Sequence, residues 1–204
     1  MSDIKLPRLI VFDFHGVLSR PQHETKIIQQ KLKENKPPGP VNYYNLMVTK
    51  NADPYDLMPT LDQVVKFIRY IQNVDSRVKF GVASAGEFEP FVIDTLRYCF
   101  ERVGAVSPFN TQNVVGSFAY AKLNLEAKKN LTAKGLSKSK ILYIEYICQQ
   151  QNIDPLGCEA VLLDDTEEII KHTKGVCGMW VSPIYFTIDI WNKYAPACGY
   201  SLIN

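Results

Sequence analysis

Residues 9–19 read LIVFDFHGVLS. Four apolar residues, Leu9 to Phe12, run without a polar interruption and stop at Asp13, with His15 two places on and Gly16 behind it. A strand with one wet face alternates apolar and polar side chains; an unalternating run is covered on both faces, as in a parallel sheet between two layers of helices. Three more runs have this character: VKFGVA (78–83) before Ser84, AVLL (160–163) before Asp164, and GMWV (178–181) before Ser182. The segments between them carry helical spacing. TLDQVVKFIRYIQN (60–73) sets Leu61, Val64, Val65, Ile68 and Ile71 along one stripe, with Thr60 placed as an N-cap. Residues 89–101 and 138–151 follow the same period, the second turning Ile141, Tyr143, Ile144 and Ile147 inward. Strands alternating with helices imply right-handed crossovers, hence a doubly wound, Rossmann-like α/β fold with a parallel sheet and helices on both faces.

Residues 19–58 break that rhythm. A polar helix is expected from about His23 to Asn35, then the proline loop NKPPGP (35–40), then the tyrosine-rich VNYYNLMV (41–48). This segment reads as a small insertion, a minimal cap over the end of the first strand. Its Tyr43 and Tyr44 either line an entrance above Asp13 or pack the insertion onto the sheet. With 204 residues and 46% apolar content, residues 1–204 are expected to form a single domain around one sizeable core.

A formal charge of +2 is too mild to argue for a nucleic-acid partner. The local excesses of Lys and Arg over 20–36 and of Lys over 121–140 read as solvated faces. Five scattered cysteines (Cys99, Cys148, Cys158, Cys177 and Cys198) show no CxxC and no paired spacing, so reduced thiols and a cytoplasmic location are expected. The chain enters its first strand without a charged-then-apolar leader, and no run approaches the roughly 18 apolar residues of a membrane span. His23 and His172 are placed as surface or capping residues, and no histidine or cysteine lies at zinc-ligand spacing from another.

In an open parallel sheet, ligands bind beyond the carboxyl ends of the strands. Here one strand ends at Asp13, a second at Ser84 followed by Ala85 and Gly86, and a third at Asp164 and Asp165. Any one of these alone reads as a helix cap. Together, in this order, they point to a site assembled from distant segments.

These residues resemble the motifs of the haloacid dehalogenase-like superfamily, and the resemblance covers most of the chain. The first motif, an apolar strand followed by Asp-x-Asp-Gly, matches Val11 to Leu18, with His15 in place of the usual second aspartate. The second, a strand ending in Ser or Thr, matches Gly81 to Ser84. The third, a lysine opening a helix, matches Lys138, with Lys134 and Lys140 close by. The fourth, a strand ending in paired acids, matches Val161 to Asp165.

The resemblance implies a Mg²⁺-dependent phosphomonoesterase working through an aspartyl-phosphate. Asp13 would be the nucleophile and a metal ligand, and Asp164 and Asp165 would complete an all-oxygen site. Ser84, Ala85 and Lys138 would bind the phosphoryl oxygens. His15 would reach the metal by its backbone carbonyl, while its imidazole would take over the proton transfers of the missing aspartate. An open site would admit a phosphoprotein, including phosphotyrosine, or a small phosphometabolite. Two alternatives stand beside this: a catalytically degenerate module that binds a phosphorylated partner in the same cleft, and a different chemistry supported by His15.

Overall fold

A computed structural model describes residues 4–34, 41–85, 87–116, 139–154, 159–182 and 185–203. Its sheet joins β1 (Leu9–Phe12), β2 (Lys79–Ala83), β3 (Val114–Val115), β4 (Ala160–Asp164) and β5 (Cys177–Trp180) in the order β3-β2-β1-β4-β5. All neighbours are parallel, with Phe12 in register with Val82 on one side and Leu163 on the other. The doubly wound α/β expectation is correct. Four strands correspond to the four apolar runs; β3, two residues long, is an addition that no run announced.

The unalternating strands are buried on both faces. Ile10, Phe12, Phe80, Val82, Val161, Leu163 and Met179 enter one core with residues of α4 (Leu61–Val74), α5 (Glu89–Arg102) and α8 (Ile188–Tyr194). Aromatic rings meet edge to face there: Phe186 lies 5.5 Å from Phe12 and 4.8 Å from Phe67 between ring centres. Leu9, Val11, Ala83, Ala160 and Leu162 face the opposite core, against Tyr143, Ile144 and Ile147 of α6 (Ile141–Gln150). Helix α7 (Glu167–His172) follows β4 after a two-residue turn. Thr60 does precede α4, but its side chain makes no capping hydrogen bond.

The insertion forms α1 (Gln22–Lys33), α2 (Tyr43–Thr49) and α3 (Pro54–Leu57). Tyr43 and Tyr44 take the packing role. The Tyr43 ring is buried at 4.9 Å from Phe91 of α5, nearly perpendicular to it. The Tyr44 N–H donates to Asp94, its hydroxyl to the Glu101 carboxylate, and the Arg97 guanidinium covers its ring at 4.5 Å. The insertion is thereby fastened to α5.

The expectation of unpaired thiols needs correction. Cys177, at the start of β5, forms a disulfide with Cys198 in the short 3₁₀ turn after α8. Their Cα atoms lie 5.9 Å apart, within the ordinary span of such a bridge. Cys99 and Cys148 are buried thiols, and Cys158 falls outside the described residues. The chain's last residues return to its first: Ser201 and Lys5 exchange two hydrogen bonds, and the Trp191 indole donates to the Ser201 carbonyl. Among the described residues, no helix is long and apolar enough to cross a membrane.

Candidate functional site

The strand order reverses between β1 and β4, because the chain builds outward on one side of β1 before crossing to the other. Such a switch point opens a crevice at the carboxyl ends of its two strands. Asp13 is the first residue beyond β1, its N–H bonded to the Leu163 carbonyl at 2.8 Å, and Asp164 is the last residue of β4. The sheet itself therefore brings the two acids together.

Between them lies a cation. The Lys140 ammonium stands 2.8 Å from Asp13 Oδ1 and 2.7 Å from Asp164 Oδ2, with only 2% of the residue exposed. Lys140 immediately precedes α6, and its N–H is held by the Thr173 hydroxyl at 3.0 Å. Burial alone would lower its pKa, but the two carboxylates outweigh burial and raise it. Lys138 and Lys134 fall outside the described residues. Of the three lysines considered from the sequence, Lys140 is the one that the described residues place between the two acids.

Asp164 is fully buried and accepts from the Thr166 N–H at 2.8 Å. Burial pushes its pKa up; Lys140 opposes, the charge of Asp13 adds to the rise, and the net direction is upward. Asp165 is also raised, first by burial and then by the charge of Asp164. Its carboxylate packs on Gly16, where φ is +74° and an added Cβ would overlap the carboxylate itself. The glycine of the first stretch is thus required twice, by its backbone and by its neighbour. One oxygen from each of Asp13, Asp164 and Asp165 lies within 4.8 Å of the others. Three hard oxygen donors this close together fit a divalent cation such as Ca²⁺ or Mg²⁺.

Ser84 is the first residue beyond β2, on the other side of Asp13, its N–H bonded to the Val115 carbonyl at 2.8 Å. Its hydroxyl is buried and has no hydrogen-bond partner among the described residues. Asp13, His15, Ser84, Ala85, Lys140 and Asp165 line one cleft of about 240 Å³, edged by Pro21 and Gln22 of the insertion and by Thr166 and Ile169 around the start of α7. All the sequence-assigned positions that the structure describes therefore meet, Asp164 lying beneath the cleft against Lys140.

The imidazole of His15 points elsewhere than the three carboxylates. Its Nε2 lies 3.4 Å from Glu87 Oε2, and its Nδ1 lies 3.3 Å from the Arg20 carbonyl and 3.4 Å from the Thr25 hydroxyl of α1. The ring is therefore no member of the group of three carboxylates formed by Asp13, Asp164 and Asp165. Glu87 is a residue that sequence reasoning missed, since nothing in GEFEP (86–90) marks it as a partner of His15. A scan against protein-family models and searches of curated proteins and of solved structures return no match.

Proposed function

We propose that this cleft hydrolyses phosphate monoesters with Asp13 as nucleophile, in the manner of the haloacid dehalogenase-like superfamily. The observation that supports it most is the buried Lys140 bridging Asp13 and Asp164 at the switch point, with Asp165 completing a group of three carboxylates. Asp13, Asp164 and Asp165 would hold Mg²⁺, which when bound neutralises charge on the phosphoryl group.

An Asp13 carboxylate oxygen attacks phosphorus, and the bond from phosphorus to the ester oxygen breaks. The departing alkoxide takes a proton and leaves as the alcohol. Water then attacks the phosphorus of the aspartyl-phosphate and gives up a proton, releasing inorganic phosphate and restoring Asp13. His15 is the group in the cleft suited to both proton transfers. The Ser84 hydroxyl, without a partner among the described residues, donates to a phosphoryl oxygen, and Lys140 offsets the negative charge that gathers as the two anions meet. The insertion packs on α5 and, among the described residues, lines the cleft with Pro21 and Gln22, an arrangement compatible with a phosphoprotein as well as a small phosphometabolite.

The test is hydrolysis of an aryl phosphate by the purified protein with and without Mg²⁺. Turnover should require the ion, and Asp13→Asn should abolish it while the melting temperature is kept. Metal-independent turnover, or turnover retained by Asp13→Asn, overturns the mechanism. No turnover by the parent, with saturable binding of a phosphopeptide, assigns the cleft to recognition of a phosphorylated partner instead.

A further inference from the structure

Glu87 has no part in the mechanism above, yet it is buried against the one residue of that mechanism that departs from the superfamily's pattern. Its carboxylate is 8% exposed at the residue level, with Oε1 accepting the Phe88 N–H at 3.0 Å and Oε2 facing His15 Nε2 at 3.4 Å. The second approach is long for a hydrogen bond, and His15 Nε2 has no hydrogen-bond partner among the described residues. The Glu87 carboxylate is therefore the acceptor that this buried nitrogen faces. The opposite edge of the ring is fixed by the Arg20 carbonyl and by Thr25, which is 3% exposed. The imidazole is thus braced between the loop after β2 and helix α1.

An aspartate at position 15 would set a carboxylate near another carboxylate in a site with little solvent, and like charges so placed disfavour one another strongly. An imidazole makes the same juxtaposition favourable. We propose that Glu87 is a positioning residue acting through His15: its carboxylate fixes the imidazole at the cleft, and residues 15 and 87 work only as a matched pair. The kinetic side of this rests on the phosphatase reading; the pairing itself does not.

A double-mutant cycle tests both sides. Glu87→Gln should lower kcat roughly 10-fold or more with KM kept within about twofold, the pattern of a lost supporting contact. In a His15→Ala background the same change should cost nothing further. His15→Asp alone should lower the melting temperature by roughly 5 to 10 °C, and Glu87→Gln added to it should restore most of that loss. The proposal is overturned if His15→Asp melts like the parent, or if Glu87→Gln slows the His15→Ala protein as much as it slows the parent. Should Glu87→Gln fail to fold, the His15→Asp melt decides alone. If the parent hydrolyses no phosphate monoester, the phosphatase reading falls, and the melting cycle still decides whether the two residues are matched.

Discussion

Asp165 pays a local penalty for its place beside Asp164. Burial and that neighbouring charge raise its pKa, so its folded value stands above the unfolded one. A group shifted in this direction contributes stability that is complete below the unfolded carboxylate range and is lost as pH rises through the folded value. Without a divalent cation, this residue therefore weakens the protein at neutral pH. Asp165→Asn removes the charge, and the variant should melt roughly 2 to 4 °C higher than the metal-free parent near pH 7, a modest gain because solvent screens a half-exposed side chain. The advantage should shrink towards about pH 4, and added Mg²⁺ should raise the parent's melting temperature more than the variant's. Equal melting of the two at every pH would remove Asp165 from the proposed metal-binding group. Asp13, Ser84, Asp164 and Asp165 were readable because each marks an abrupt end to an apolar run. The choice among Lys134, Lys138 and Lys140 is not sharp in the sequence because a helix start read from periodicity carries no sharp edge, and α6 begins at Ile141 where the period suggests 138. Glu87 could not be read at all, since its meaning comes from a contact 72 positions away that only the fold creates.

Elements were readable where burial imposes a period. The stripe of α4 is buried at Leu61, Val64, Val65, Ile68 and Ile71, as its spacing requires. β3 was not, because two residues held by their pairing with Val82 and Ala83 make no pattern of their own. The insertion was seen as a break in rhythm, but which way its tyrosines turned depended on α5, which lies far along the chain. Tyr43 now reads as an anchor, 6% exposed against Phe91. Tyr43→Ala should cost about 3 kcal/mol of folding stability, the usual loss for a large buried ring. Its effect on turnover should be equal for a minimal aryl phosphate and for larger substrates once the fraction folded is matched. Denaturant midpoints and a substrate panel measure the two quantities. A variant of parental stability but altered selectivity would return Tyr43 to the mouth of the cleft.

At the scale of the whole molecule, the sheet gathers residues 13, 84, 140 and 164 at its carboxyl edge, while the disulfide stands at the opposite end of β5, whose first residue is Cys177. The pairing escaped the sequence because 21 positions separate the two cysteines and no motif links them; it arises where α8 and the following turn bring the chain back beside β5. Closing a loop of that length restricts the unfolded chain by about 3 kcal/mol in the chain-entropy account. Reduction, or Cys198→Ser, should therefore lower the stability of the domain by about that amount. The carboxyl-edge site should be untouched, so turnover measured well below the melting temperature should stay at the parental value. Alkylation of the denatured protein supplies the direct check, with two more thiols reacting after reduction than before. An equal count before and after would mean that Cys177 and Cys198 are thiols in solution. A loss of turnover that exceeded the unfolded fraction would mean instead that the bridge reaches the acidic turn through β5, where the Trp180 indole donates to the Asp165 carbonyl at 3.0 Å.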